Sequence, residues 1–239
     1  MRPNIICHMI SSIDGRLLTE RWNAPNGEPA TGLIHRVYEE AAGRLGGQGW
    51  MVGRRTMAHY IEDQRKPQLL EQPLKRPAFK GSPAGRKLAV VLDPSGKLLH
   101  AGDDLDGDHV VSIVSERVEE AYLESLRRNG VSYLLSGSDG SGLSDAVAAL
   151  GEMFDVKTIL LQGGGTINGA FLAAGLIDEF STLIFPSVDG MAGIASIVDY
   201  HGSRTTQPSS DFRFQLAGNE TLEAGTVWLR HKVLRRHVA

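Results

Sequence analysis

The stretch "LLQGGGTINGAFLAAGLIDE", residues 160–179, places three glycines between an apolar run and a segment of small residues. The apolar run predicts a strand that ends at Gln162, and the segment after the glycines predicts a helix closed by Gly175. Glycines at such a junction indicate either a tight turn or a group that approaches the main chain more closely than a Cβ would allow. The order strand, glycine turn, helix is the repeating unit of an α/β sheet.

The glycine turn is a candidate binding site for a pyrophosphate. A strand–glycine–helix junction brings free main-chain N–H groups and the positive end of a helix to one point. The dinucleotide fingerprint G-x-G-x-x-G fails because its sixth position is Asn168, and no Walker A motif occurs. A phosphate-binding turn and a purely structural turn therefore both stay open. The candidate cofactor-binding residues are Gly163, Gly164, Gly165 and Thr166.

Upstream of the glycines, short apolar runs alternate with segments of helical periodicity. The predicted order is β-α-β-α-β-β-α-β-α-β-α-β, and its continuous apolar strands are typical of a parallel sheet covered on both faces. Predicted helices include residues 33–45, residues 55–61 and a segment that begins at about residue 115. Residues 62–86 hold four prolines and two glycines, so they predict a long irregular excursion.

Downstream of Pro186 the pattern changes to loops and strands. Residues 199–211 predict a loop, and the segments after it predict an antiparallel hairpin with turns at Gly218-Asn219 and Gly225. No linker divides the chain, so we expect a single domain over residues 1–239. Its α/β fold would have a mainly parallel central sheet flanked by helices, with an antiparallel C-terminal hairpin.

The composition narrows the possible functions. The chain has 239 residues and a net charge of −3, from 25 basic and 28 acidic side chains, which predicts no basic face for nucleic acid. Cys7 is the single cysteine, so an intrachain disulfide and a cysteine zinc site are excluded. No apolar run is long enough for a signal peptide or a membrane span. We therefore expect a cytoplasmic protein that needs no metal, nucleic acid or membrane.

The stretch "WMVGRRTM", residues 50–57, repeats the pattern of apolar strand, glycine and helix start. Arginines beside a helix N-terminus favour an anion, and the alternative is a solvated pair on a helix surface. Two phosphate-type turns would suit one extended dinucleotide, and arginine near a 2′-phosphate favours NADPH over NADH. The candidate cofactor-binding residues of this turn are Gly53, Arg54, Arg55 and Thr56.

In the stretch "MISSIDGRL", residues 9–17, two hydroxyl side chains and an acid follow the first predicted strand. Asp-Gly is a common turn pair, so plain turn chemistry is one interpretation. A carboxylate at the carboxyl end of a strand also lies where open α/β sheets bind ligands. Ser12 is therefore a candidate substrate-binding residue, and Asp14 is a candidate catalytic residue.

Taken together, "SSIDGR", "VGRRT" and "LLQGGGTINGAFLAAGLIDEFSTLIFPSVDG" resemble the dihydrofolate-reductase-like superfamily in order and spacing. The chain looks most similar to the reductase domain of bifunctional riboflavin-biosynthesis deaminase/reductases. The resemblance runs from about residue 5 to residue 190 and is strongest over residues 163–190. It implies an NADPH-dependent reductase, usually a homodimer, that opens the sugar ring of a ribosylamino-pyrimidine phosphate and reduces it to a ribityl chain.

The resemblance also implies roles for the candidate residues. The three glycines would lie against the cofactor's pyrophosphate, and the arginine-bearing turn would hold its phosphate region. Ser12 and Asp14 would face the nicotinamide and the reacting sugar, where Asp14 would stabilise a protonated imine. Gln162 stands where the family commonly has a glutamate close to the substrate. The zinc-deaminase signature H-x-E with P-C-x-x-C does not occur in the sequence, so a stand-alone reductase is expected.

Two alternatives stay open. The segment after Thr56 lacks the family's aspartate, proline and arginine, and "GRRTMAHY" looks closer to true dihydrofolate reductases. A dihydrofolate or pterin reductase on the same scaffold would hold its ring with an acid on the first long helix, where Glu39 and Glu40 are nearest. The second alternative is a protein that binds NADPH without catalysis.

Overall fold

The computed structural model describes residues 1–61, 66–202 and 207–235. The chain forms two compact units, the first made of residues 1–3 and 48–159, the second of residues 4–47 and 160–239. The single domain expected over residues 1–239 stays a prediction, because a compact unit need not fold by itself. Among the described residues, no helix combines the length and the apolar character needed to cross a bilayer.

The described residues form ten strands and five α-helices. The strands are β1 (Asn4–Ser12), β2 (Gly49–Gly53), β3 (Leu88–Leu92), β4 (Asp104–Leu105), β5 (Asp108–Val114), β6 (Ser132–Leu135), β7 (Thr158–Leu161), β8 (Glu179–Phe185), β9 (Phe212–Thr221) and β10 (Val227–Arg235). The helices are α1 (Thr31–Leu45), α2 (Arg54–Met57), α3 (Glu120–Arg128), α4 (Leu143–Phe154) and α5 (Gly165–Ala173). The predicted order of elements is confirmed, with the two-residue β4 as an addition.

The first unit is built on parallel strands. β2 pairs with β3, β3 with β5 and β5 with β6, all in parallel, and β4 adds a short antiparallel pair to β5. Every residue of β3 is buried, as expected for a strand covered on both faces. α3 packs its Tyr122, Leu123 and Leu126 against β5 and β6 side chains in one apolar cluster.

α3 begins at Glu120 rather than near Ser115, so the predicted start of this helix is wrong. The apolar spacing of Val118, Tyr122 and Leu126 is real, but Val118 forms a β-bridge with Leu69 of the excursion. A residue whose main chain pairs with another segment cannot also sit in a helical turn. Pairing with the excursion therefore moves the start of the helix about one turn later in the chain.

The proline-rich excursion covers a free strand edge in the first unit. Phe79 and Tyr133 exchange two main-chain hydrogen bonds of 3.0 and 2.9 Å, which closes the side of β6 that β5 leaves open. Covering an edge in this way prevents pairing with other chains. The prediction of an irregular segment is confirmed for residues 66–86, whereas residues 62–65 lie outside the described residues.

A buried polar chain ties the excursion to the strands. The Gly81 N–H donates to Ser132 Oγ at 2.9 Å, Ser132 Oγ lies 2.7 Å from His109 Nε2, and His109 Nδ1 lies 3.0 Å from Asp103 Oδ2. The order Asp, His, Ser is that of a hydrolase triad. Ser132 and His109 are fully buried, however, and the Gly81 N–H occupies the hydroxyl oxygen. The chain of contacts is therefore structural.

The second unit joins parallel and antiparallel pairing. Its strands lie in the order β7-β1-β8-β10-β9, with β1 and β8 parallel and β10 antiparallel to both β8 and β9. α1 packs Ile34, Val37 and Ala41 against a core that includes Phe185 and Trp228. The predicted fold class, a mainly parallel sheet with an antiparallel C-terminal hairpin, is confirmed.

The predicted turn at Gly218-Asn219 is wrong. β9 continues through both residues, which pair with Arg230 and Leu229 of β10. The register shifts between Arg230 and His231, so the glycine lies beside a β-bulge, a position that glycine tolerates. The predicted turn at Gly225 is confirmed, with a φ of 78° and an N–H that donates to Leu222 O at 3.2 Å.

Two buried histidines differ in their partners. His8 Nδ1 lies 3.0 Å from Ser181 Oγ, which also accepts the Trp228 indole N–H at 2.7 Å. His100 has no hydrogen-bond partner for either ring nitrogen among the described residues. Burial lowers the pKa of each imidazole from 6.5 to about 4, so both are neutral at physiological pH.

We expect the protein to lose stability as the pH falls from 6.5 towards 4. A histidine whose pKa is lowered stays neutral in the folded protein, whereas the unfolded chain takes up a proton below pH 6.5. The contribution of each neutral histidine to stability is therefore fully present above pH 6.5. As the pH approaches 4, each histidine lowers the free energy of unfolding by up to about 3 kcal/mol. Urea unfolding near neutral pH and near pH 4 measures this loss.

Two leucine substitutions separate the contributions. His100→Leu should reduce the pH dependence without lowering stability at neutral pH, because the ring nitrogens have no described partner to lose. His8→Leu should lower the free energy of unfolding at neutral pH by about 1–3 kcal/mol, because the Ser181 hydroxyl would lose its acceptor. A pH dependence that neither variant changes would contradict the assignment.

Candidate functional site

The glycine turn has the local structure that the sequence predicts. β7 ends at Leu161, Gln162 is half-buried, and α5 starts at Gly165 with Gly164 in extended conformation before it. The other end of α5 is closed by Gly175, which has a φ of 65° and donates to Leu172 O at 3.0 Å. The predicted strand, glycine turn and capped helix are thus confirmed.

The glycines are required by the protein's own packing. A Cβ on Gly163 would lie 2.9 Å from Met9 Cε, and its φ of 87° disfavours other residues. A Cβ on Gly165 would lie 2.2 Å from the carbonyl oxygen of Ser196. At Gly165, the group that approaches the main chain closely is therefore a later segment of the same unit, residues 187–199, which we call the strap.

The first turn of α5 still offers hydrogen-bond donors. In residues 1–61, 66–202 and 207–235, no group accepts the main-chain N–H of Gly165 or Thr166. No residue of this turn is acidic, and Gly164 has no side chain with which to cap it. The Asp199 carboxylate from a later segment lies beside it, with Oδ2 3.0 Å from where a Cβ on Gly165 would be. Gly165 is buried and Thr166 is exposed, so Thr166 presents its donor at the surface, at the positive end of a helix that suits an anionic group.

Asp14 lies in a tight turn at the end of β1. Its Oδ1 accepts the Ser12 hydroxyl at 2.6 Å and the Asp189 N–H at 3.0 Å, and its Oδ2 accepts the Gly190 N–H at 2.9 Å. These bonds, that from Ser12 above all, lower the pKa of the Asp14 carboxyl to about 2. The group is therefore ionised at physiological pH and keeps lone pairs at Oδ2 for a further partner.

The strap is held to this turn by two further arginines. Arg16 donates from Nη1 to Ile194 O at 3.0 Å, and its main chain forms a β-bridge with Ser196. Arg21 Nη2 lies 3.3 Å from Asp189 Oδ1, and the Asp189 side chain is fully covered. The sequence analysis missed these residues, because charged side chains in loops carry no periodic signal. The aspartates of "VDGMAGIASIVD" were the available hint.

The arginine-bearing turn belongs to the first unit. β2 ends at Gly53 and α2 follows directly, but this helix is a single turn that ends at Met57 rather than at residue 61. Arg54 and Thr56 are half-buried, and Arg55 is exposed. A one-turn helix brings only a small dipole, so any anion binding here would depend on the side chains. The phosphate roles of these residues stay predictions.

Among the described residues, no three His, Cys, Asp or Glu side chains gather in a way that would hold a metal ion. Cys7 is buried, as expected for an inert thiol. The structure thus brings Ser12, Asp14 and the strap together in one unit with the glycine turn. The roles of Ser12, Asp14 and Gln162 towards a substrate stay predictions.

Comparison with known proteins supports the same family. The sequence profile described as the RibD C-terminal domain matches residues 3–228. A 2,5-diamino-6-ribosylamino-4(3H)-pyrimidinone 5′-phosphate reductase from Methanothermobacter thermautotrophicus is 24% identical over 224 residues, which cover 93% of this chain and 94% of the relative.

Solved structures share the fold. RibD from Acinetobacter baumannii superposes with a TM-score of 0.64 at 21% identity, over 98% of this chain and 58% of that chain. A pyrimidine reductase-like protein from Corynebacterium diphtheriae gives 0.64 at 18% identity, over 98% and 93%. The riboflavin biosynthesis reductase Rib7 from Saccharomyces cerevisiae gives 0.59 at 14% identity, over 98% and 90%. The chain belongs to the RibD C-terminal domain family.

Proposed function

We propose that this protein is an NADPH-dependent reductase of riboflavin biosynthesis that acts on a ribosylamino-pyrimidine phosphate. The observation that carries the proposal is the family match over residues 3–228, together with a relative of nearly equal length that is named as such a reductase. The ionised Asp14 and the donors of the α5 turn support the proposal, because they would supply the charge and the hydrogen bonds that this reaction needs.

The α5 turn fits the pyrophosphate of a nicotinamide dinucleotide. The N–H groups of Gly165 and Thr166, which have no acceptor among the described residues, would donate to its oxygens, and the helix end would favour its negative charge. Gly164, which is half-buried and has no side chain, would leave the approach open, and the half-buried Gln162 would meet the substrate's hydroxyl groups. When bound, the reduced nicotinamide supplies the hydride.

Asp14 would act through its charge. Opening of the sugar ring leaves a C=N bond whose carbon takes the hydride, and the bond is far more reactive when its nitrogen carries a proton. With a pKa of about 2, Asp14 has no proton to give at physiological pH. Its carboxylate would instead stabilise the positive imine, while Ser12 fixes the orientation of the carboxylate.

The pterin reductase alternative is not favoured. It needs an acid on α1 that faces the ligand, and both Glu39 and Glu40 are exposed. Glu40 Oε1 lies 3.6 Å from Arg44 Nη1 on the outer face of the same helix. An acid paired at the surface is not available to a pteridine ring.

The direct test is a comparison of substrates. Loss of nicotinamide absorbance should follow addition of the ribosylamino-pyrimidine phosphate, with NADPH as the reductant. Dihydrofolate should give no comparable rate. Turnover of dihydrofolate alone would support the pterin reductase, and tight NADPH binding without turnover of either compound would support a non-catalytic binding protein.

Arg54→Ala should weaken the binding of NADPH by about tenfold or more and the binding of NADH far less. A guanidinium near the 2′-phosphate makes a charge-assisted hydrogen bond that NADH, which lacks this phosphate, cannot use. Calorimetric titration of wild type and variant with both coenzymes measures the ratio. Equal weakening of the two coenzymes would remove the 2′-phosphate assignment.

We propose a cytoplasmic location, which suits the single buried thiol of Cys7.

We also propose that the protein forms a homodimer with a second copy of the chain. Strand alternation places a row of mostly apolar, partly exposed side chains on the hairpin face opposite the α1 core. Its apolar members include Phe180, Ile184, Leu229, Val233, Phe214 and Leu216, and Thr182 and His231 lie among them. Homodimer interfaces have this apolar character. Sedimentation should show a dimer that Phe214→Lys with Leu216→Lys converts to a monomer.

A further inference from the structure

The strap contacts two turns of the second unit. At its near end, the N–H groups of Asp189 and Gly190 donate to the two oxygens of Asp14 at 3.0 and 2.9 Å. At its far end, the Asp199 N–H donates to Gly165 O at 2.9 Å, in the first turn of α5. One continuous segment thus joins the candidate reacting centre to the candidate phosphate site.

Asp199 gives the far end its shape. Its Oδ2 accepts the Ser196 N–H at 3.0 Å, and its Oδ1 accepts the Ser196 hydroxyl at 2.8 Å. These two bonds close the last turn of the strap and hold the Ser196 carbonyl over Gly165. A Cβ on Gly169 would likewise lie 2.6 Å from Asp199 O. The strap therefore rests directly on the α5 main chain.

Asn168 fastens the same end from the helix side. Its Nδ2 donates to Ile197 O at 2.8 Å, and its side chain is fully buried. The middle of the strap is fixed by Arg16, through Ile194 O and the bridge to Ser196. Arg16 lies two residues after Asp14, so the middle of the strap is attached to the same turn as its near end.

We propose that the strap is a rigid link between the Asp14 turn and the first turn of α5, and that Asp199 is the positioning residue that holds its far end. The link sets the separation between the Asp14 carboxylate and the N–H groups of Gly165 and Thr166 in α5. Loosening either end is transmitted to the other along the covalent chain and through the Arg16 attachment at Ile194 and Ser196. What binds at the two turns rests on the proposed function, whereas the link itself does not.

Amide hydrogen exchange on the whole chain tests the link in both directions. Asp199→Asn should speed exchange of the Asp189 and Gly190 amides by about threefold or more, although neither amide contacts the changed side chain. Asp14→Asn should do the same to the amides of Ser196 and Asp199. The matched control is Asp211→Asn, an exposed carboxylate of the same unit, which should leave all four amides unchanged. Faster exchange confined to the mutated end would overturn the link.

Ser196→Ala provides a milder second variant in case Asp199→Asn does not fold. It removes the contacts of the hydroxyl with Asp199 Oδ1 and Val198 O, and it keeps the Asp199 charge and the Ser196 N–H bond to Asp199 Oδ2. A folded Ser196→Ala protein should still show faster exchange at Asp189 and Gly190. Unchanged exchange at these amides in a folded variant would overturn the role of Asp199.

NADPH provides an independent readout in the unmodified protein. Its binding should slow exchange at Gly165 and also at Asp189 and Gly190, because the strap carries the effect to the near end. Protection confined to α5 would overturn the link. Absence of NADPH binding would count against the proposed function, and the reciprocal effects of the two substitutions would still decide whether the link exists.

Discussion

Replacing Gly165 by alanine lowers the free energy of unfolding by about 3 kcal/mol and weakens NADPH about tenfold, if the strap rests on this glycine as described. The added Cβ would lie 2.2 Å from the Ser196 carbonyl oxygen, a separation that real Cβ atoms essentially never show. The obstacle is main chain, so no side-chain rotation relieves it. Either the strap or the first turn of α5 must move.

Urea unfolding and calorimetric titration with NADPH measure the two effects. Gly43→Ala on α1 is the matched control, because a Cβ there would meet nothing within 4 Å. In an exposed helix interior this substitution should stabilise by about 0.5–1 kcal/mol. A Gly165→Ala protein as stable as its Gly43→Ala counterpart would show that the strap does not constrain the glycine.

The contact that requires glycine at position 165 could not be predicted from the local sequence. The local order of strand, glycines and helix predicted the junction, because each element has its own periodicity or cap. The group that excludes a side chain from Gly165 comes from Ser196, 31 positions later in the chain. No local pattern connects two such positions. The same holds for Asn168, which appeared only as a mismatch to a fingerprint and holds the strap through Ile197.

The errors in the predicted elements have the same origin. Gly218-Asn219 is a common turn sequence, but here both residues lie within β9, where they pair with β10 beside a bulge. The predicted start of α3 near Ser115 rested on the apolar spacing, which is real. The prediction is wrong because Val118 pairs with Leu69. In both cases a contact distant in sequence outweighs the local preference, which is the usual limit of propensity arguments.

Asp14→Asn should lower turnover about a hundredfold while changing NADPH affinity much less. The substitution removes the negative charge that would stabilise the protonated imine, a loss of about 3 kcal/mol in the transition state. It also places an amide N–H₂ beside the N–H groups of Asp189 or Gly190, so the strap is loosened as well. Steady-state rates and NADPH titration on the same preparations separate the two effects.

The pH profile distinguishes a charge at the reacting centre from an anchor alone. The carboxylate with a pKa of about 2 is ionised above about pH 4, so Asp14 should add no acid limb to the rate above that pH. An acid limb that disappears in Asp14→Asn would contradict the low pKa and make Asp14 a proton donor. Equal losses of turnover and cofactor affinity would leave it only the role of strap anchor, since a residue that acts on the transition state lowers turnover first.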